Sequence, residues 1–254
     1  KIFGFRLKKV NHKKRLFNKD LDGGSILDGG IYPISLLLDI MEIFNDITDK
    51  NVITKCEKKI SKNIDLDYLN TSDFETKAKG LRGSIMIIGP LLSRFGKASI
   101  PKPGGDKIGR RKLDTHFEGL VKLGANFKYD NKNYRYNVTA NKLKGSYILL
   151  DQPSVTGTAN IIMTAALANG ETTIYNAACE PYIQQLCSMI NAMGGKITGV
   201  GSNLLKINGV KELLGCNHKI QPDMIEIGSW IGLAALTKSD ITIKGVEIKI
   251  LDSF

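Results

Sequence analysis

The chain has 254 residues, of which 42% are hydrophobic and 24% charged, a composition typical of a globular protein with a sizeable core. Its longest apolar runs fall far short of the roughly 20 residues of a membrane-spanning helix, which argues against a membrane protein. The net charge is +11, but residues 1–20 supply +7 of it through eight Lys or Arg and one Asp. The mildly basic remainder suits a small anionic substrate, and no zinc-finger spacing or aromatic RNA-binding motif favours a nucleic-acid partner.

The N-terminal part of the chain predicts little regular structure. Residues 1–20 are expected to form a mobile basic tail, and they have neither the apolar core nor the cleavage site of a signal peptide. A Gly/Asp turn (residues 21–30), an apolar helix-like stretch (residues 31–44) and a polar linker follow. The four cysteines have no metal-binding spacing, so we expect reduced thiols in a cytoplasmic protein, with no metal ion and no cofactor.

From about Leu81 onward, one pattern occurs three times: an apolar helix rich in small residues, a short turn and an alternating strand. The three segments read IMIIGPLLSRFGKASI, NIIMTAALANGETTIYNA and GSWIGLAALTKSDITIKGV. The second and third align with an offset of 69 residues, which places Ala165 on Ala234. Small side chains permit helices to approach closely, so the pattern predicts a crowded centre around Ala165, Ala166, Ala168, Ala234 and Ala235.

Two amphipathic helices also recur, in HFEGLVKLGANFKY and IQQLCSMINAMGGKITG. Each is followed by a glycine, Gly124 or Gly194, which suits the left-handed residue after a helix. With the first pattern, they predict a repeated strand–helix–strand–helix–strand–strand unit of about 70 residues. The helical spacing of their apolar residues predicts buried positions for Leu120, Leu123, Leu186, Ile190 and Met193.

Long, few repeats favour an α/β domain whose units pack on each other, and not a solenoid. We expect this domain over residues 21–222, divergent in residues 21–64, and the start of an incomplete second domain over residues 223–254. Apolar faces at Trp230, Ile231 and Leu233 would then be available for self-association.

The chain resembles the enolpyruvyl transferase family, and within it the carboxyvinyltransferases that use UDP-N-acetylglucosamine. The resemblance covers roughly residues 66–246 and rests on LRGSIMIIGPLLSRFGKASIPKPGGDKIGRRKLDTHFEGLVKLGA, DQPSVTGTANIIMTAALANGETTIYNAACEP, MGGKITGVGSNLLKINGV and QPDMIEIGSW. It implies an inside-out α/β barrel of repeated βαβαββ units, with one domain nearly complete and a second only begun. It also implies enolpyruvyl transfer from phosphoenolpyruvate to the 3′-hydroxyl of UDP-N-acetylglucosamine, the first committed step of peptidoglycan synthesis.

Residues 103–111 resemble the family's mobile catalytic loop. Most members have Cys as the proton donor, whereas Asp106 stands at that position here. A protonated carboxyl can act as a general acid, and the loop glycines allow closure over substrate. Because fosfomycin alkylates the loop cysteine, the resemblance implies fosfomycin resistance. The alternative is a structural turn in which Asp106 caps a helix or pairs with Arg110.

Other matching positions imply substrate contacts, since guanidinium groups bind phosphate and carboxylate in bidentate fashion. Asp114 or Thr115 would also suit the cap of the following helix, and His116 fits a satisfied residue at the helix start better than an acid or base. Cys179 is expected to be a buried thiol. The substrate-binding residues implied by the resemblance are Arg82, Arg111, Lys112, Leu113, Asp114, Thr115, Gln152, Pro153, Ser154 and Val155.

The sequence departs from the family pattern at its start and at single positions. The Lys-Asn pair of the family is absent from LDGGSILDGGIYPIS, and Gln152 stands where many members have a lysine that contacts the diphosphate. The family's aspartate base and further arginines would lie beyond Phe254, so this chain alone is expected to be inactive. Two hypotheses follow: a carboxyvinyltransferase, and a non-enzymatic remnant that retains UDP-sugar or partner binding.

Overall fold

The structure is a computed structural model that describes residues 54–55, 69–105 and 113–251. The chain divides into two compact units, one that contains the described residues up to 219 and one that contains the described residues from 220 onward; each is described by itself. None of the described helices is both long and apolar enough to cross a membrane. The expectations for the basic tail and for most of residues 21–64 concern residues outside this described part.

The first unit alternates helices with short strands. Its described α-helices are α1 (Ser72–Gly80), α2 (Ile88–Phe95), α3 (Asp114–Lys122), α4 (Val155–Ala165) and α5 (Pro181–Ala192), and a 3-10 helix (Arg82–Ile87) leads into α2. Its strands are β1 (Thr54–Lys55), β2 (Lys97–Pro101), β3 (Asn126–Asp130), β4 (Arg135–Thr139), β5 (Tyr147–Leu149), β6 (Glu171–Tyr175), β7 (Lys196–Thr198), β8 (Leu204–Asn208) and β9 (Asn217–His218).

Two sheets of this unit share one strand arrangement. In the first, β4 lies between β2 and β3; in the second, β8 lies between β6 and β7, and all of these pairs are antiparallel. β5 extends the second sheet by pairing in parallel with β6, so α4 is the crossover between two parallel strands. β1 and β9 form a separate antiparallel pair.

The element order reproduces the repeat that the sequence predicts. The run β5–α4–β6–α5–β7–β8 is strand–helix–strand–helix–strand–strand, and α2–β2–α3–β3–β4 follows the same order from its first helix onward. The structure therefore confirms an α/β fold of repeated supersecondary units.

α4 is the central helix of the first unit, where it contacts α2, α3 and α5. Ala165, Ala166 and Ala168, in and just after this helix, are all buried. A Cβ on Gly119 of α3 would overlap the side chain of Ile161 of α4, so only glycine permits this close approach. The crowded centre predicted from small residues is confirmed at these positions.

The amphipathic helices α3 and α5 also agree with the sequence prediction. Gly124 and Gly194 follow them with φ of +95° each, the left-handed conformation expected after a helix. The predicted apolar positions are all buried: Leu120, Leu123, Leu186, Ile190 and Met193.

The second unit contains α6 (Met224–Thr237) and a 3-10 helix (Ile248–Leu251). Asp223 caps α6, because its carboxylate accepts a hydrogen bond from the N–H of Ile225 at 2.8 Å. Ala234 is buried as predicted, whereas Ala235 is exposed, and Leu236 is 87% exposed.

The alternating strand predicted for DITIKGV is wrong. Residues 240–246 contain a single bridge residue, Ile241, and otherwise no strand. Alternation favours a strand only where a neighbouring strand supplies the hydrogen bonds, and no described strand of this unit pairs along residues 240–246.

Candidate active site

The residues implied in substrate binding occupy three places in the described chain. Arg82 begins the 3-10 helix, residues 113–115 lie at the start of α3, and residues 152–155 lie at the start of α4. Asp106, Arg111 and Lys112 lie outside the described residues, so their roles stay predictions.

The beginning of the predicted catalytic loop lies against Arg82. A Cβ on Gly104 would overlap the carbonyl oxygen of Lys79, and a Cβ on Gly105 would lie 3.2 Å from the Cβ and the backbone N of Arg82. Gly105 also has a φ of +89°, a conformation that L-residues rarely adopt. Gly104 therefore permits a close approach to the backbone of Lys79, and Gly105 permits one to Arg82, in addition to the mobility that the sequence suggests.

The starts of α3 and α4 lie side by side. The hydroxyl of Thr115 donates to Oδ1 of Asp151 over a long 3.5 Å, and a Cβ on Gly157 would lie 2.9 Å from Cγ2 of Thr115. Ser154 caps α4, because its Oγ accepts from the N–H of Gly157 at 3.1 Å. Gln152 and Pro153 are exposed before this cap. The fold thus brings together two of the predicted nucleotide-binding segments.

The suggested capping role of Asp114 or Thr115 is wrong. The N-cap of α3 is Leu113, and within the described chain no side-chain hydrogen bond caps this helix. Asp114 lies in the first helical turn, where the helix dipole favours a carboxylate. Thr115 is buried and directs its hydroxyl towards Asp151 instead.

A buried polar network joins α2, α3 and α4 behind these segments. Oδ1 of Asn160 accepts from the N–H of Gly89 at 2.7 Å, and its Nδ2 donates to the carbonyl of Ile85 at 3.1 Å. Nδ2 also lies 3.1 Å from Nδ1 of His116, and Nε2 of His116 lies 3.1 Å from Oγ1 of Thr156. Asn160 is fully buried and His116 is 2% exposed, so both side chains depend on these bonds.

The network assigns His116 as a neutral ring with its proton on Nε2. The N–H of Gly89 can only donate, so it identifies Oδ1 of Asn160, and Nδ2 must then donate to Nδ1 of His116. Burial, and after it the positive charge of Arg82, lowers the pKa of His116 to about 3. His116 is therefore the satisfied residue at a helix start that the sequence predicts.

Tyr136 of β4 belongs to the same region, and sequence reasoning missed it. Burial raises its pKa, as does Tyr129, while the charge of Arg82 lowers it and that of Asp114 raises it. Its ring centroid lies 4.9 Å from those of Phe117 and Tyr129. Arg82 and Asp114 therefore act on one aromatic side chain, although 32 positions separate them in the sequence. A tyrosine in an alternating strand carries no signal of this.

Asn160 and Thr156 were also missed. A usable signal existed for Asn160, because it is the one amide in the otherwise apolar segment ANIIM, and a buried amide must find hydrogen-bond partners. The partners themselves were not predictable, since they come from the 3-10 helix, α2 and α3.

The expectation for Cys179 is wrong, because this residue is exposed, whereas Cys187 on α5 is buried. Cys179 precedes Pro181, the first residue of α5, and so lies in the connection between β6 and that helix. Chain entry into a helix on the surface leaves its side chain open to solvent.

Comparison with known proteins identifies the family of this chain. Residues 37–254 match the family described as EPSP synthase (3-phosphoshikimate 1-carboxyvinyltransferase). A UDP-N-acetylglucosamine 1-carboxyvinyltransferase from Bacteroides thetaiotaomicron is 50% identical over 257 residues, covering 89% of this chain and 59% of that relative. A protein of the same name from Bacteroides fragilis is 62% identical over 185 residues, covering 73% of this chain and 43% of that relative. The chain thus spans about half the length of these relatives.

Among solved structures, the enolpyruvyl transferase NikO from Streptomyces tendae matches with a TM-score of 0.51 and 19% identity, over 63% of this chain and 37% of that one. At this identity the likeness supports the fold alone. The family match, by contrast, extends over most of the sequence and includes every described site residue. The chain therefore belongs to the EPSP synthase family of enolpyruvyl transferases.

Proposed function

We propose that the protein transfers the enolpyruvyl group of phosphoenolpyruvate to the 3′-hydroxyl of UDP-N-acetylglucosamine. The observation that carries this proposal is the 50% and 62% identity to relatives named UDP-N-acetylglucosamine 1-carboxyvinyltransferase. The reaction is the first committed step of peptidoglycan synthesis, so the protein serves cell-wall biogenesis, cell shape and cell division from the cytoplasm.

The proposed reaction is an addition followed by an elimination. The 3′-hydroxyl gives its proton to a base as its oxygen bonds to C2 of phosphoenolpyruvate and C3 takes a proton. The bond from C2 to the phosphate oxygen then breaks, phosphate leaves, and C3 gives up a proton to a base. Asp106 supplies the proton to C3, and Arg82 and Arg111 hold the carboxylate and phosphate groups. The contact between Gly105 and Arg82 supports this assignment, because it puts the described start of the loop beside one of these cations.

Residues 112–115 and 152–155 bind the nucleotide in this proposal. The packing of Thr115 against Gly157 supports it, because one ligand can then reach the starts of both α3 and α4. Main-chain N–H groups at helix starts suit a diphosphate, and Asp114 suits the uracil N–H as an acceptor. Gln152 supplies an amide in place of a cation, so this contact to the diphosphate is weaker than one from lysine.

We extend the proposal to the architecture. Residues 21–222 form an inside-out barrel, residues 1–20 a mobile tail, and residues 223–254 begin a second domain. The exposed Leu233 and Leu236 of α6 support the last point, because an apolar helix face needs a partner. Sedimentation should show self-association of this chain that Leu236→Glu weakens.

The alternative is a protein that binds UDP-sugar without turnover. One specific observation favours it: the Lys-Asn pair of the family is absent from LDGGSILDGGIYPIS. Under this alternative, the nucleotide contacts at the starts of α3 and α4 persist while the enolpyruvyl chemistry does not.

Phosphate release and calorimetry separate the two functions. In a protein that joins this chain to the family's second domain, the transferase function predicts phosphate release from phosphoenolpyruvate that requires UDP-N-acetylglucosamine and is lost in Arg111→Ala. The alternative predicts calorimetric binding of UDP-N-acetylglucosamine with no phosphate release. Absence of both binding and turnover would reject both functions.

A further inference from the structure

We propose that His116 and Asn160 are positioning residues that hold the two nucleotide-binding segments at a fixed separation. The inference rests on the proposed function, because it concerns how the UDP-sugar site is assembled. The relevant segments, 113–115 and 152–155, lie on different helices and must be placed together for one ligand to contact both.

The direct contacts of Thr115 with the residues that flank segment 152–155 are weak. The bond from Thr115 to Asp151 is 3.5 Å long, at the limit for a hydrogen bond, and the contact between Thr115 and Gly157 is van der Waals packing. The short polar link is the 3.1 Å bond from Nε2 of His116 to Oγ1 of Thr156. It joins the third residue of α3 to the second residue of α4, and each of these residues directly follows one of the two segments.

Asn160 determines whether His116 can make that link. Its amide donates to Nδ1, so the ring keeps its hydrogen on Nε2 and donates to Thr156. The amide is itself fixed from both sides, by the N–H of Gly89 and the carbonyl of Ile85. The 3-10 helix and the start of α2 therefore orient Asn160, Asn160 orients the imidazole, and the imidazole sets the distance between α3 and α4.

The environment of the ring supports this role. His116 is buried, Arg82 is the charged group that acts on it, and the hydrogen-bond partners of its two nitrogens are both neutral. A ring kept neutral at physiological pH has one donor and one acceptor, which are the two bonds required here.

Two substitutions of His116 separate its two bonds. In His116→Gln, the side-chain amide takes the place of Nε2 and still donates to Thr156, while the bond to Asn160 is lost. In His116→Asn, the amide oxygen takes the place of Nδ1 and still accepts from Asn160, while the bond to Thr156 is lost. Each variant loses one buried hydrogen bond, so a purely structural role predicts similar losses of stability and no difference in ligand affinity.

The test measures UDP-N-acetylglucosamine affinity by calorimetry and unfolding midpoints on the same samples at pH 7.5. We expect His116→Asn and Thr156→Val to weaken binding about three- to tenfold, which is the effect of losing one hydrogen bond. We expect His116→Gln to bind more tightly than His116→Asn. Thr158→Val is the matched control, because Thr158 is a buried hydroxyl of α4 that accepts from the N–H of Ala178, outside the link. It should lower the midpoint and leave the affinity unchanged.

The outcomes distinguish this inference from the function on which it rests. Equal affinity of Thr156→Val and the unsubstituted protein would overturn the positioning role while leaving the proposed function in place. The same holds if Thr158→Val weakens binding as much as Thr156→Val. No binding of UDP-N-acetylglucosamine by the unsubstituted protein would overturn the proposed function and this role with it.

Discussion

Single residues of the site differ in what their chemistry requires: a loop carboxyl that must carry a proton, and a buried imidazole that must not. Asp106 has the role of proton donor by resemblance alone, whereas the state of His116 follows from its contacts. The two residues therefore call for different experiments, one on turnover and one on stability.

The depressed pKa of His116 makes stability depend on pH. The folded protein keeps the ring neutral down to about pH 3, whereas the unfolded chain binds a proton near the ordinary value of 6.5. The contribution of His116 is fully present above pH 6.5, and it falls by about 1.4 kcal/mol per pH unit as the pH decreases from there towards 3. Urea unfolding at a series of pH values measures this slope.

His116→Gln is the control for that series, because its side chain does not titrate. We expect the variant to be less stable at pH 7.5 and to lose less stability on acidification than the unsubstituted protein. If stability depended on pH equally in the two proteins, His116 would have the same pKa in the folded protein as in the unfolded chain, against the assignment made here.

Replacing Asp106 tests the proposed donor. Under the proposed function, and in a protein that joins this chain to the family's second domain and carries the Lys-Asn pair, Asp106→Ala should lower turnover by about 10²–10⁴, the usual contribution of a general acid. Asp106→Cys should make the enzyme sensitive to fosfomycin, because a thiolate attacks the epoxide far more readily than a carboxylate does. A loss of less than about tenfold in Asp106→Ala would instead make the residue a loop-shaping one.

Among the elements, α3 and α4 are held so close that one missing methyl group matters. Gly119→Ala places a Cβ on the Ile161 side chain, and we expect it to destabilise the fold by about 1–3 kcal/mol through overpacking. This should occur although alanine has the higher helix propensity. The midpoint of chemical denaturation, followed by circular dichroism, measures the change.

Gly232→Ala is the matched control for Gly119→Ala. Gly232 also lies inside a helix, α6, but no atom lies within 4 Å of its added Cβ. Helix propensity then acts alone, and alanine should stabilise by about 0.5–1 kcal/mol. If both substitutions were neutral or stabilising, the close approach of α3 to α4 would not be a constraint on the fold.

The same elements show what the sequence can predict and where it stops. Periodicity indicates which face of a helix is buried, so the burial of Leu120 and Leu186 was predicted correctly. The left-handed glycines after α3 and α5 were also predicted correctly, because glycine is the residue that most easily adopts this conformation. The link from Asn160 to His116 was beyond reach, because it depends on which helices meet in three dimensions. The strand predicted for residues 240–246 is wrong because alternation is a local property of the sequence, whereas strand formation requires a pairing partner from elsewhere in the chain.

At the scale of the molecule, the family assignment and the repeated α/β order were predictable because the motifs and the periodic patterns that indicate them extend over much of the chain. The candidate site was predictable only in part. Motif resemblance identified Arg82 and the starts of α3 and α4, but Tyr136 entered the region through β4, whose sequence carries no motif of its own.

The parallel pairing of β5 with β6 has a consequence for the order in which parts of the first unit unfold. β8 pairs antiparallel with both β6 and β7, whereas the chain connects β5 to its parallel partner β6 through the central helix α4. Separating that helix from its neighbours exposes Ile161, Ile162 and Asn160 together, so its amides should exchange with deuterium only when the whole unit unfolds. The edge strand β3, whose residues 126–128 are exposed, should exchange through local fraying at lower free energy. Native-state hydrogen exchange in increasing denaturant would compare the free energies of opening of α4 and β3. Equal protection of the amides in the two elements would mean that α4 is not the last part to unfold.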